Sequence, residues 1–148
     1  MDRKRVLFIC VGNTARSLMA EAILRSRAGD RFEVASAGVK PSTVPEQTLQ
    51  VLAEAGIDTS GLHSKSVRDY LATSFNHYVI TVCEEAEEKC PRAWLPGGEK
   101  ILWSIADPAA ATGTQEEILN AFRGARDEIA RRIDEWLGSD ESGQHLTV

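Results

Sequence analysis

The chain has 148 residues, of which 43% are apolar, and a formal charge of −5. A single domain of this size buries roughly 68–70% of its unfolded surface, enough for a core that needs neither disulfide staples nor a structural metal. The acidic balance excludes a nucleic-acid partner, and the run Arg3-Lys4-Arg5 reads as a solvated lead-in to the first strand.

Val6-Leu7-Phe8-Ile9 reads as a buried strand. It is too short for a signal-peptide core or a membrane span, so a soluble cytoplasmic chain without membrane contact is expected. Cys10 to Ser17 forms a turn, and Leu18 to Leu24 a helix. Arg31 to Ala37 reads as a second strand ending at Gly38. Thr43-Val44-Pro45-Glu46 has the form of a capping box, with Leu49, Leu52 and Ala53 as the apolar face of a helix that Gly56 terminates. A helical turn is expected over Ser66 to Leu71. His77 to Val82 is a central strand that delivers Cys83. Residues 84–90 suit a short helix that Pro91 cuts off, and Lys100 to Trp103 a last strand leading to Asp107-Pro108. A second capping box, Thr114 to Glu117, opens a long helix whose stripe of Ile118, Phe122, Ala125, Ile129, Ile133 and Trp136 belongs to the core. From Gly138 the chain loses apolar content, giving one domain over 1–138 and a flexible tail over 139–148. Strands alternating with helices predict an α/β fold, a four-stranded parallel sheet in a three-layer sandwich with helices on both faces.

In such a sheet ligands collect where the strand ends meet at the topological switch point. Cys10, Cys83 and Asp107 each follow a predicted strand, so all three are expected at one edge. The stretch Cys10-Val11-Gly12-Asn13-Thr14-Ala15-Arg16-Ser17 lies between a strand and a helix start, where backbone N–H groups and the helix dipole favour an anion. Gly12 lets backbone approach a ligand closely, and Arg16 offers a planar fork to two oxygens of a tetrahedral oxyanion. Ser17 supplies a hydroxyl to the Cys10 sulfur. The same donors stabilise a thiolate, so one loop holds both nucleophile and oxyanion. A lone cysteine ending a strand is often inert core, and Asp-Pro is often an ordinary turn. The surrounding pattern favours chemistry at Cys10.

At these residues the chain resembles the low-molecular-weight protein tyrosine phosphatases and the thioredoxin-coupled arsenate reductases, which share a Cys-x5-Arg-Ser loop near the N-terminus. The resemblance runs from about Arg5 to about Leu137 and implies a flavodoxin-like fold. It assigns Asp107 as the general acid that protonates a leaving oxygen. Cys83 and Cys90 match two further cysteines of the reductases, so the resemblance implies a relay. Cys10 attacks arsenate, Cys83 attacks Cys10 with release of arsenite, Cys90 attacks Cys83, and thioredoxin reduces the Cys83–Cys90 disulfide. The alternative is a phosphatase that hydrolyses phosphomonoesters through a Cys10 phosphocysteine. A third reading is a non-enzymatic oxyanion-binding or redox-sensing protein. A monomer is expected from the family, with no cofactor.

Two departures from the family patterns bear on the choice between reductase and phosphatase. Ala109-Ala110-Ala111 follow Asp107-Pro108 where the phosphatases often place aromatic walls, which suits a small inorganic anion such as arsenate or phosphate. Ala15 stands where many members have a second loop cysteine, leaving Cys83 as the partner of Cys10. Geometry adds a constraint of its own. A helix over 83–90 would hold its end Cα atoms roughly 10 Å apart, whereas a disulfide needs about 5.5–6 Å, so that segment must unwind on oxidation. Some of these reductases bind potassium through side chains matching Asn13, Glu21 and Ser36, with Lys65 here at the position of an aspartate. Lys65 is either a built-in replacement for the cation or an exposed lysine. His63, His77 and His145 show no ligand spacing, and no metal site is expected.

Overall fold

The computed structural model describes residues 3–12, 15–70, 75–82 and 97–146. Strands β1 (Lys4–Cys10), β2 (Phe32–Gly38), β3 (Asn76–Thr81) and β4 (Gly97–Leu102) form one parallel sheet in the order β2-β1-β3-β4. This is the flavodoxin-like order: the chain leaves β1 to one side and then crosses back over it, so the connections part at its carboxyl end. Ile9 is in register with Ala37 and Thr81, and Thr81 with Leu102, so the carboxyl ends lie along one edge. β4 begins three residues earlier than the apolar pattern of Lys100 to Trp103 indicates, because Gly97 already pairs with Asn76. At Gly98 an added Cβ would lie 3.1 Å from the His77 carbonyl oxygen, so the close approach of this edge strand favours glycine there.

Side chains alternate across the sheet. Phe8 and Ser36 share the face that meets helices α1 (Arg16–Ala28) and α3 (Gln115–Leu146). On that face Phe8 packs against Trp103 at 6.0 Å, while Phe32 and Tyr78 meet Trp136 of α3 at 5.3 and 5.0 Å. On the opposite face Leu7, Ile9 and Val79 are also buried. A parallel sheet buried on both sides explains the near-continuous apolar run of β1. His77 is structural, its Nδ1 accepting the Arg5 N–H at 2.9 Å.

The capping box of α3 forms as its sequence predicts. Glu117 N–H donates to Thr114 Oγ1 and Thr114 N–H to Glu117 Oε1, both at 3.1 Å. Phe122, Ala125, Ile129 and Ile133 of the stripe are buried, and Ile118 and Trp136 are partly so. The helical backbone continues to Leu146, through the stretch that its composition marks as a tail. Gly138 and Gly143 each cost a helix about 1 kcal/mol, and no proline follows Gly138 to stop it.

The box at Thr43 does not form. Helix α2 (Glu46–Glu54) starts two residues later, with Pro45 extended at its N-terminus and no side-chain cap. Pro45 also holds Val44 out of the helical region, so the helix has to start beyond it. Its buried face is Thr48, Val51 and Leu52, whereas Leu49 and Ala53 are exposed. The helix packs against α1 and α3 through this edge, rotated from the Leu49-Leu52-Ala53 face. Gly56, at φ +74°, ends it as expected. The turn at Ser66 is a short 3-10 helix, Val67–Tyr70. Among the described residues no helix is long and apolar enough to cross a membrane.

Candidate active site

β1 delivers Cys10, buried, to the carboxyl edge of the sheet. Its Sγ lies 2.9 Å from Ser17 Oγ, close enough for the hydroxyl to donate to a thiolate. Ser17 is held in place because α1 opens at Arg16 and buries its first turn against the core. Ala15 at the N-cap supplies no side-chain hydrogen bond, so no cap competes with an anion for the leading N–H groups.

Arg16 is 6% exposed and its fork is aimed along the sheet edge. One amino group donates to the Ile105 carbonyl at 3.0 Å, and the other lies 3.7 Å from Asp107 Oδ2. Asp107 is half-exposed and caps the short 3-10 helix Pro108–Ala110, its Oδ1 accepting the Ala109 N–H at 3.0 Å. One carboxylate oxygen is thus fixed by backbone while the other faces the arginine. The loop after β4 and the loop after β1 meet through this pair, as the switch-point geometry requires.

The loop is braced from the side of β2. Val39 N–H donates to the Cys10 carbonyl at 3.3 Å, Lys40 N–H to that of Val11 at 2.8 Å, and Ser64 Oγ to that of Gly12 at 2.9 Å. Beneath it lies the buried carboxylate of Glu21. Ser36 Oγ donates to its Oε1 at 2.5 Å, Lys65 Nζ lies 3.3 Å from the same oxygen, and Arg25 reaches Oε2 at 2.5 Å. Lys65 also donates to the His63 carbonyl at 2.9 Å, and its side chain is 15% exposed. The ammonium sits with Glu21, so Lys65 is not the exposed lysine of the second reading. Loss of Lys65 would leave the buried Glu21 carboxylate with part of its compensation, from Arg25 and Ser36.

Of the residues singled out from the sequence, Cys10, Val11, Gly12, Ala15, Arg16, Ser17 and Asp107 gather at this edge. Asn13 and Thr14, together with Cys83, Cys90 and the helix expected over 84–90, lie outside the described residues. Sequence reasoning missed Ser64, the Ile105 carbonyl, and the amides of Val39 and Lys40. Backbone groups carry no side-chain signal, and Ser64 sits in a polar loop that reads as solvent-facing.

The model of the low molecular weight phosphotyrosine protein phosphatase family matches residues 5–146. The arsenate reductase of Halalkalibacterium halodurans is 38% identical over 133 residues, which cover 90% of this chain and 94% of that protein. A solved arsenate reductase in its phosphate-binding state superposes with a TM-score of 0.76 at 26% identity, covering 92% of this chain and 98% of that one. The YwlE arginine phosphatase of Geobacillus stearothermophilus superposes with a TM-score of 0.75, also at 26% identity, over 97% and 96% of the two chains. With a Cys-x5-Arg-Ser loop, an opposed Asp-Pro and full-length similarity in sequence and structure, the chain belongs to the low molecular weight phosphotyrosine protein phosphatase family.

Proposed function

We propose that this protein reduces arsenate to arsenite through Cys10, Cys83 and Cys90 and is recycled by thioredoxin. The observation that carries this reading is the buried Cys10 with Ser17 on its sulfur and the Arg16–Asp107 pair beside it, in a chain that carries two more cysteines at the relay spacing and is 38% identical to an arsenate reductase.

In the first step the Cys10 thiolate attacks arsenic while Arg16 and the loop amides of residues 11–17 hold the other oxygens. Asp107 protonates the departing oxygen, which leaves as water. Cys83 then attacks Cys10 Sγ. The electron pair of the sulfur–arsenic bond stays on arsenic, which departs as arsenite, and a Cys10–Cys83 disulfide remains. Cys90 attacks Cys83, Cys10 leaves as thiolate, and the dithiol of thioredoxin reduces the Cys83–Cys90 disulfide. Val82 N–H donates to the Ile9 carbonyl at 2.9 Å, so the residues preceding Cys83 and Cys10 are already hydrogen-bonded neighbours, which supports transfer between the two sulfurs. The chemistry suits a monomer in the cytoplasm, where thioredoxin keeps thiols reduced.

The family match favours a second reading, hydrolysis of a phosphomonoester through a Cys10 phosphocysteine. One experiment separates them. Arsenate-dependent NADPH oxidation is followed with thioredoxin and thioredoxin reductase for the native chain and for Cys10→Ser, Cys83→Ser and Cys90→Ser, beside an aryl phosphate assay. Turnover abolished in all three variants is the expected result. Aryl phosphate hydrolysis that needs Cys10 alone, with no arsenate turnover, would establish the phosphatase.

A further inference from the structure

We infer that Lys40 and Arg68 form a second anion subsite on the β2 flank of the nucleophile loop, one that takes a tetrahedral dianion such as sulfate, phosphate or arsenate. The subsite is separate from Cys10 and does not depend on which reaction Cys10 performs.

The chain carries 22 carboxylate side chains against 17 lysines and arginines, so its cations have acidic partners to spare. Among the described residues nearly all of them are engaged. The cations of α1 and α3, with Arg5 and Lys65, lie in ion pairs. Arg3 donates to the Gly29 carbonyl, Lys4 and Arg31 lie over aromatic rings, and Lys100 is engaged as well. Only the side chains of Lys40 and Arg68, both exposed, have no ion pair, hydrogen bond or ring contact among the described residues.

These two cations converge. Gly38 and Ser66 form a parallel bridge, in which the Gly38 N–H donates to the Lys65 carbonyl at 2.8 Å. Lys40 and Arg68 each stand two residues beyond a bridged position, and the two segments leave the bridge in the same direction. Both side chains line one open cleft of about 610 Å³, together with Val39, Pro41, Ser42 and Ser66. No carboxylate is among these lining residues, so the like charges face each other without a counter-charge. Every polar side chain of the lining can donate. Ser66 Oγ accepts the Arg68 N–H at 3.2 Å, which leaves its own proton for a ligand. A lining of donors alone suits an acceptor-only ion, and a tetrahedral dianion offers acceptors on every side.

The wall of the cleft is fixed to the nucleophile loop. The Val39 N–H donates to the Cys10 carbonyl at 3.3 Å and the Lys40 N–H to that of Val11 at 2.8 Å, bonds that no side-chain substitution at Lys40 removes. A chain with a net charge of −5 repels dianions, and two uncompensated cations beside the loop offset that repulsion where an oxyanion has to arrive.

The test titrates the reduced full-length protein with sodium sulfate, and with sodium chloride at equal ionic strength, while the backbone amide signals of Ser42, Ser66 and Arg68 are followed by NMR. Protection of Cys10 from iodoacetamide by the same sulfate reports separately on the loop. In the native protein the three signals are expected to move saturably with sulfate and not with chloride. In Arg68→Gln their midpoint should rise about two- to fivefold, the effect of losing one exposed charge contact, and Arg68→Lys should restore it to within about twofold. The double variant Lys40→Gln/Arg68→Gln should show no saturable movement. Its amide spectrum checks that it folds, and if it does not, the Gln and Lys variants of Arg68 decide alone. Sulfate shifts that match those of chloride, an unchanged midpoint in Arg68→Gln, or a midpoint that equals the Cys10-protecting concentration in every variant would overturn the subsite. Saturable cleft signals without any protection of Cys10 would support it and count instead against the loop as an oxyanion site.

Discussion

At the scale of single residues the site depends on charges that are buried in pairs. Glu21 is a carboxylate removed from water, and its oxygens are taken up by Ser36, Arg25 and Lys65. Such a group is tolerated only where the compensation is complete. Lys65 supplies part of that compensation permanently, where a bound cation would supply it only when occupied. Turnover of the native protein is therefore expected to stay flat as potassium chloride replaces sodium chloride at constant ionic strength, and Lys65→Ala to lower activity and to become potassium-responsive. A steep potassium dependence in the native protein would show that Lys65 does not stand in for the ion. The lysine could be noticed in the sequence, but its partner could not, because 44 positions separate Lys65 from Glu21.

At the scale of elements, caps decide where helices begin, and the two candidate boxes had opposite outcomes. At Thr114 the reciprocal bonds form, and the Thr114 backbone N–H, followed by its hydroxyl, holds the Glu117 carboxyl below its ordinary range. A carboxyl lowered in the folded state contributes stability that is complete above its unfolded pKa and fades as pH falls through the folded one. Thr114→Ala should lower stability by about 1 kcal/mol at neutral pH. Glu117→Gln should lower it too, by a margin that shrinks as the pH is taken below about 4. Urea unfolding at several pH values checks both, and a pH-independent Glu117→Gln effect would rule out the charged cap. At Thr43 the same four-residue pattern yields no cap, since Pro45 fixes an extended residue at the boundary. A capping box is thus a local signal that a neighbouring proline overrides.

At the scale of the whole molecule, a buried sheet leads at its carboxyl edge into the connection that holds the proposed Cys83–Cys90 pair. β1 and β3 are central strands, and their apolar side chains are buried on both faces, so they open only with the whole fold. If residues 83–90 form the helix that their sequence predicts, bridging the pair requires that helix to shorten. Oxidation should therefore speed amide hydrogen exchange across 84–90 while leaving Leu7 to Ile9 and Val79 to Thr81 protected. Unchanged exchange across 84–90 would sink the proposed rearrangement.

What the sequence determined by itself was whatever acts over short range. The apolar run ending in Cys10, the Cys-to-Arg spacing, the capping box at Thr114 and the stripe of α3 are all set by neighbours within one or two helical turns, so the strands, the helices and the nucleophile loop were legible. The alternation of those elements also implied the parallel sheet. Only the tertiary structure decided how the site is braced and how α2 is turned. The Gly12–Ser64, Arg16–Asp107 and Glu21–Lys65 contacts join residues 44 to 91 positions apart, or meet at backbone carbonyls that any residue would offer. The buried face of α2 depends on the helices it docks against and not on its own pattern alone. Contacts of that kind exist only once the sheet has brought its strand ends together, because sequence spacing carries no record of which distant loops a topology will make neighbours.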